Sequence, residues 1–432
     1  MTATPAQPPP PVEAPGDDPA GARLRGAARG FSSLYDPQFR ALWFGLLFSQ
    51  GAMQINMVAR PWLAYHVSGS GAALGIVAVA SGLPMVLFSV IAGVVVDRTD
   101  KRRLLLVVTA LLAVLSLATA VLVHLDIIAV WHLALVGMLQ GGMFAFNFPT
   151  RSALIPALVS AEDLPNAIAM NSTGLNLNRV AVPAVAGLLI AWQPAVAFDV
   201  ITLLYVISTL MLLRLPTLHI EPRLHSAFHD MVGGFRYVWE TRAVRRLLLL
   251  ALFPTLLGMP FQQFLPVFQE QVLHVGPSAL GLMFSAVGIG SLTGSLAVAY
   301  LPQSRLTQFQ MLGGFAFGLA LVGFALSTTV PMALGMLALV GLTSQGYFVL
   351  NNVLLMNATQ RDYYGRTMSI YMITWSIMPV AVLPMGVLID AVGMPWTQAA
   401  AGVILTAIVG AILLLGRWNG GTRPHRGGRM RR

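Results

Sequence analysis

Apolar runs of about twenty residues or more succeed one another along most of this chain, and nearly all charge is confined to the short stretches between them. A bilayer's hydrocarbon core is about 30 Å thick and takes roughly twenty helical residues to cross. Runs lie near 40–65, 72–96, 103–123, 130–156, 165–192 and 195–214, and then a polar stretch interrupts them. Six more follow near 245–272, 277–300, 309–328, 331–357, 366–390 and 397–417. The expected class is an all-α integral membrane protein with twelve transmembrane helices, six on each side of the break. Only 10% of the residues are charged and 56% are hydrophobic, whereas a soluble protein carries about 25% charged residues. Cysteine is absent, which excludes disulfides, thiolate metal sites and a cysteine nucleophile.

The basic residues orient the bundle. With both termini inside, the outer loops fall near 66–71, 124–129, 193–194, 273–276, 329–330 and 391–396, and none contains Arg or Lys. Every basic residue except Arg60 and Arg179 then lies on the inner side or at an inner helix end, as the positive-inside rule requires. The net charge of +10 therefore meets anionic lipid and does not call for nucleic acid. The first apolar run starts near Ala41, too deep for a cleavable signal peptide. Residues 1–30, rich in Pro, Ala and Gly, read as a disordered cytoplasmic tail. The stretch 31–214 forms a first six-helix bundle, opened by a short amphipathic lead-in up to Arg40. Residues 215–244 form a cytoplasmic linker, 245–417 a second bundle, and 418–432 a basic cytoplasmic tail. In the linker, Phe228, Met231, Val232, Phe235 and Val238 recur at helical spacing and predict an amphipathic surface helix. A flexible connection is the alternative.

The two halves carry matching stretches about 200 residues apart. Ala72-Ala73-Leu74-Gly75-Ile76 reappears as Ser278-Ala279-Leu280-Gly281-Leu282. Gln140-Gly141 with Asn147 reappears as Gln345-Gly346 with Asn352. Val180-Ala181-Val182-Pro183 with Gly187 reappears as Val380-Ala381-Val382-Leu383-Pro384 with Gly386. Three matches in one order at one offset indicate an internal repeat. Duplicated six-helix halves predict a pseudo-two-fold axis along the membrane normal, with a cavity between them.

Between the second and third runs stands Gly93-Val94-Val95-Val96-Asp97-Arg98-Thr99-Asp100-Lys101-Arg102-Arg103. Charges this dense cannot lie in hydrocarbon and mark a membrane face. This stretch resembles the loop between helices two and three of the major facilitator superfamily, G-x-x-x-D-R-x-[GD]-x-[RK]-[RK], at Gly93, Asp97, Arg98, Asp100, Arg102 and Arg103. The resemblance covers essentially residues 36–417 and implies the major facilitator fold. Three further stretches resemble the branch with enterobactin exporters and macrolide efflux proteins. They are Phe39-Arg40-Ala41-Leu42-Trp43, Asn147-Phe148-Pro149-Thr150-Arg151-Ser152-Ala153, and Arg361 with Tyr364-Gly365-Arg366-Thr367-Met368-Ser369. The resemblance places Asp97 at a cytoplasmic gate, facing the positive N-terminal end of helix eleven near Gly365 and Arg366. Gly93 would let helices two and eleven approach, Arg98 and Arg102 would pair locally and hold the outward-open state, and Asp100 belongs to the same gate. The matching second-half loop, Leu301-Pro302-Gln303-Ser304-Arg305, has no Asp-Arg pair, so orientation alone does not account for the first. Two departures bear on coupling. The helix-four arginine of drug–proton antiporters is Gly137 here, and of their helix-five signature only Pro183 and Gly187 match.

Arg60 is the sharpest single residue for a substrate cavity. An arginine mid-helix costs about 2.5–3.5 kcal/mol on insertion scales and should face a cavity or a partner. It shares a broad face with Gln50, Met53 and Met57, and Gln54 and Asn56 lie close. Its alternative is to snorkel to the outer headgroups beside Pro61 and Trp62. Arg179, with Asn171 and Asn178 on a neighbouring face, lines the cavity or glues the bundle. Either arginine could pair with Asp199. Gln262 and Gln263 lie between Pro260 and Pro266, by the repeat opposite Arg60, and Phe261, Phe264 and Phe268 line an apolar pocket or pack. Gln140 and Asn147 on helix four, and Gln345, Tyr347, Asn351 and Asn352 on helix ten, complete the candidates. If both arginines face the cavity, an anionic or carboxylate-bearing substrate is favoured.

No enzyme constellation is present. His225 and His229 lack a carboxylate to complete a zinc motif, and without a P-loop the energy comes from an ion or substrate gradient. No cofactor is expected. The expectation is secondary-active efflux of small amphipathic molecules, drug- or siderophore-like, from a bacterial inner membrane. By resemblance it is proton-driven, in a protein working as a monomer whose partners are substrate, lipid and protons. An uptake symporter and a non-transporting receptor or scaffold are the alternatives. Deletion raises cellular accumulation in the efflux case and lowers it in the uptake case.

Overall fold

The computed structural model describes residues 32–160, 162–215 and 236–414, and at Gly93, Asp97 and a few other helix positions the backbone alone. The expected terminal tails and the linker helix up to residue 235 lie outside the described residues. Twelve long helical segments stand among them. They are α1 (Pro37–Ser68), α2 (Gly71–Arg98), α3 (Lys101–His124), α4 (Val130–Leu158), α5 (Leu164–Trp192) and α6 (Pro194–Leu212). Then come α7 (Arg242–Gln271), α8 (Pro277–Ala299), α9 (Leu306–Ala325), α10 (Val330–Ala358), α11 (Tyr364–Val392) and α12 (Met394–Leu414). Ten of them are long and apolar enough to cross a membrane. The other two, α1 and α4, have the length at 32 and 29 residues. Gln50, Gln54, Asn56 and Arg60 on α1, and His132, Gln140, Asn147 and Arg151 on α4, dilute their apolar content.

Local chemistry sets where the helices stop. Asp36 opens α1 by accepting from the backbone of Gln38 and Phe39 at 2.6 and 3.2 Å. Gly69, at φ 64°, closes α1 in the left-handed region and lets α2 start two residues later. Asp100 opens α3, accepting from the backbone of Arg102 and Arg103 at 2.8 and 3.1 Å. Two helices are interrupted by proline, which removes a backbone donor and crowds the preceding turn. In α7 a π turn (Pro254–Gly258) runs into a 3-10 turn (Met259–Phe264) before the α-helix resumes at Leu265. In α11 the break falls at Ile377, two residues before Pro379.

In the first half α1 packs on α5 and α6, α2 on α4, and α3 on α4 and α6. In the second half α8 packs on α10, and α9 on α10 and α12. The halves meet chiefly through α2 with α11 and α5 with α8. Exchanging the halves turns one of these pairs into the other, as a pseudo-two-fold axis requires. Phe261, Phe264 and Phe268 of α7 are fully buried, and Phe268 lies against Phe324 of α9 with ring centroids 4.3 Å apart. They are packing residues and line no pocket. Tyr347 and Asn351 of α10 donate to the backbone carbonyls of Leu250 and Leu247 at 2.7 and 3.0 Å, which ties α10 to α7.

One end of the bundle carries the loops 69–70, 125–129, 193, 272–276, 326–329 and 393, without Arg or Lys. The halves are sealed there by backbone contact. A Cβ on Gly187 would stand 2.7 Å from the Gly281 Cα, and one on Gly71 would stand 2.9 Å from the Gly386 carbonyl. Gly75 faces Leu383 and Gly82 faces Pro379 with as little room. Tyr65 of α1 accepts from Gln271 of α7 at 2.8 Å, and Asp390 of α11 reaches the start of α2. At the opposite, basic end the Tyr364–Ser376 part of α11 touches α2 far less than Met378–Val392 does, and no described residue stands within 4 Å of a Cβ on Gly365. Among the described residues, the bundle is shut at the end without basic residues and parted at the other.

Candidate functional site

Three arginines, Arg60, Arg151 and Arg179, lie about two turns or more from either end of their helices. Each is held by a glutamine. Arg60 Nη1 donates to Ser81 Oγ of α2 at 2.9 Å, and its Nη2 donates to Gln140 Oε1 of α4. Asn56 Nδ2 donates to the same Gln140 oxygen at 3.1 Å. Arg151 Nη1 of α4 donates to Gln50 Oε1 of α1 at 2.8 Å. Arg179 Nη1 of α5 reaches Gln345 Oε1 of α10 across the two halves, at 3.4 Å. Gln140 and Gln345 are repeat counterparts, and both receive a guanidinium from the first half.

Neutral amides do not cancel charge. Among the described residues the ion pairs are His124 with Asp199 and Arg236 with Glu240, both at 2.9 Å and both away from these arginines. Asp199 therefore serves His124 and neither Arg60 nor Arg179, contrary to the pairing expected for it. Among the described residues, no carboxylate stands beside any of the three guanidinium charges in the bundle.

Arg60 does not snorkel to the headgroups, and its hydrogen bonds go to Ser81 and Gln140 and not to Gln262 or Gln263. Its bonds stay inside the first half, where Ser81 and Gln140 lie within reach. A Cβ on Gly137 would stand 3.3 Å from Arg60 Nη1. The same Cβ would stand 2.4 Å from Ser81 Oγ, so glycine here leaves room for the Arg60–Ser81 bond.

The α4 residues Gln140, Asn147 and Arg151 share one helix face, and all three are buried. Arg151, in sequence one more basic residue near an inner helix end, is the cavity residue that sequence reasoning missed. A small cleft with room for about one water-sized group lies between α1, α4 and α5, and Arg151, Gln50, Asn171 and Asn178 are its polar lining. Asn178 Nδ2 donates to the Leu47 carbonyl at 3.1 Å, and Trp43 Nε1 donates to the Met170 carbonyl at the same distance. Gln54, Gln262, Gln263 and Asn352 are half-buried and enter none of these bonds.

At the basic end, the side chains of Gly93 and Asp97 lie outside the described residues. Arg98 is exposed. Arg102 does not pair locally with an acid: its Nη2 donates to the Leu213 carbonyl at the end of α6, at 2.6 Å. The Asp100 carboxylate is taken up in capping α3. The Arg366 guanidinium lies 5.4 Å from the Tyr363 ring centroid. Of the linker, the described turn 236–240 docks by Tyr237, which stacks on Tyr363 at 4.1 Å and accepts from the Gln360 backbone at 3.0 Å.

A helical bundle in two related halves, meeting through α2–α11 and α5–α8, narrows the possibilities to one kind of membrane protein. Residues 28–421 match the family described as transmembrane secretion effector. The chain belongs to that family of major facilitator transporters. This transporter is similar to the staphyloferrin A transporter of Staphylococcus aureus, 26% identical over 84% of this chain and 92% of that protein. It is also similar to the multidrug efflux pump Tap of Mycolicibacterium fortuitum, 26% identical over 86% of this chain and 94% of the other. Its fold matches a variant of the nucleoside transporter NupG at a TM-score of 0.72, over 87% of this chain and 99% of that one at 12% identity. The transporter is a multi-pass membrane protein for a small-molecule substrate, and not an enzyme.

Proposed function

We propose that this transporter exports small amphipathic molecules, drug- or siderophore-like, from the bacterial cytoplasm across the inner membrane. It does so as a monomer by alternating access, with both termini cytoplasmic and protons as the counter-ion. The observation that carries this reading is the asymmetry of the interface between the halves. Glycine backbones meet at the end without basic residues, and the other end is parted. With the basic end at the cytoplasm, this is a state open to the cytoplasm, ready to load substrate for export. Rocking of the halves would part the glycine seam and close the basic end. The siderophore and multidrug relatives support the substrate class and the direction.

Two measurements test this. In proteoliposomes, substrate efflux is expected to fall several-fold when the pH gradient is dissipated. Flux indifferent to that gradient removes proton antiport and leaves export driven by another gradient. At the basic end, Asp97 is the carboxylate positioned by resemblance to hold the start of α11 when that end closes. Asp97→Asn is expected to abolish transport while membrane insertion stays normal. Normal transport by this variant would return the 93–103 stretch to a topology signal.

A further inference from the structure

We propose that Arg179 receives a carboxylate of the exported molecule, in the space between the halves where the α5–α8 seam ends. This rests on the export reading and names its substrate class.

Arg179 lies about 20 Å from either end of α5, at 1.5 Å per residue, yet its side chain is exposed. The faces of α5 show what it is exposed to. Asn178 turns to α1, where it donates to the Leu47 carbonyl. Pro183 and Gly187 meet Gly281 of α8. Leu177, Val185 and Leu188 are exposed on a third side, toward lipid. On a helical wheel Arg179 falls between the α1 face and the α8 face, opposite the lipid side. Ser172 and Ile168, about two and three turns nearer the basic end, share its face and are exposed as well. The space they meet is the parted one. Among the described residues, the glycine contact of this seam nearest the basic end is Gly288, where a Cβ would stand 2.5 Å from the Arg179 carbonyl oxygen. Toward the basic end from there, the halves separate and a ligand has room beside Arg179.

Two other roles do not account for this residue. A charge that only orients the chain belongs near a helix end, with the other basic residues. A tie between the halves is short where the structure makes one: Asp390 accepts from Ser70 and Gly71 at 2.6 Å, and Gln271 donates to Tyr65 at 2.8 Å. The bond from Arg179 Nη1 to Gln345 Oε1 is 3.4 Å long, beyond the usual range of about 2.7–3.2 Å. It steadies the guanidinium and leaves most of its five N–H donors to the open space. The two oxygens of a carboxylate match the fork of those donors. Gln345 keeps its NH2 group to donate to the same anion, so the acid stands against both halves at once. Ile168 adds apolar surface along the same wall, which suits an amphipathic acid.

The purified full chain in nanodiscs tests this without any gradient. The probe is 2-naphthoate and its neutral counterpart is 2-naphthamide, each followed by equilibrium dialysis with empty nanodiscs subtracted. Saturable naphthoate binding is expected, with the naphthamide about tenfold weaker or more, since the amide lacks the charge that the guanidinium pairs with. Arg179→Gln should weaken naphthoate binding about tenfold or more, and Arg179→Lys should fall between, because lysine keeps the charge without the fork. No saturable naphthoate binding, or equal binding of the two probes by the unaltered protein, would overturn the proposal, and this comparison stands even if Arg179→Gln fails to fold. So would undiminished naphthoate binding by an Arg179→Gln protein with unaltered melting temperature. Export is read separately in vesicles, so loss of the carboxylate site leaves export standing, and absence of export leaves the measured binding as it is.

Discussion

Gly187→Leu is expected to abolish transport while the protein still inserts and folds. The added Cβ would stand 2.7 Å from both the Gly281 Cα and the Pro277 carbonyl oxygen. Those atoms are helix backbone and cannot rotate away. Overpacking of this kind costs about 1–3 kcal/mol, and it applies only when α5 and α8 are pressed together. The variant therefore loses the closed seam by roughly five- to 150-fold in population, since 1.4 kcal/mol is a factor of ten, and the state parted at that end is untouched. A cysteine reports this directly, because the chain has none of its own. Ser285 lies between Gly281 and Gly288 on the seam face of α8 and is 8% exposed. In a Ser285→Cys background, Gly187→Leu should speed labelling by an impermeant maleimide about tenfold or more. Unchanged labelling with normal transport would show that the seam is not a gate.

Asp390→Ala is expected to give the same phenotype more weakly. Asp390 Oδ1 accepts from the Gly71 backbone at 2.6 Å. Its Oδ2 accepts from the Ser70 hydroxyl at 2.6 Å and the Ala72 backbone at 3.0 Å. The last turn of α11 thus caps the first turn of α2, across the interface between the halves. A helix cap is worth about 1 kcal/mol, and the exposure of Asp390 keeps it near that figure. The expected shift toward the parted state is about fivefold. It should be seen at Ser285→Cys on the other seam too, because rigid halves part as one. A change confined to the α2–α11 side would mean the seams open independently. The resemblance places Asp97, at the far end of α2, against the start of α11. The two carboxylates would then be reciprocal holds, one for each end of the same helix pair.

The repeat stretches were the most informative part of the sequence. Gly75 with Gly281, and Gly187 with Gly386, fall on the contacts between the halves, and Gln140 with Gln345 fall on the arginine-bearing positions. Helix positions were equally legible, because the length of an apolar run is fixed by the bilayer. Partner choice was not. A helical wheel says which residues share a face, but which neighbour that face meets depends on the packing of all twelve helices. Arg60 was legible as a costly charge, yet its turn toward Gln140 depends on the space at Gly137. Arg151 was illegible for a different reason: by position it belongs with the orienting charges of the basic end, and only its burial separates it from them.

The distribution of the arginines also bears on how the protein is made. Arg60, Arg151 and Arg179 all lie in the first half, and α1 and α4 fall short of the apolar content of the other ten. Each deep arginine adds about 2.5–3.5 kcal/mol to the free energy of entering the bilayer alone. Gln50, Ser81 and Gln140 ease that burden only once α1, α2 and α4 stand side by side. The bilayer-embedded state of α1 and α4 is therefore expected to gain from their pairing, and a truncation ending before α4 should insert α1 less completely than the full first half does. The described helices of the second half carry no arginine at such depth, so their insertion should not depend on a partner helix in this way.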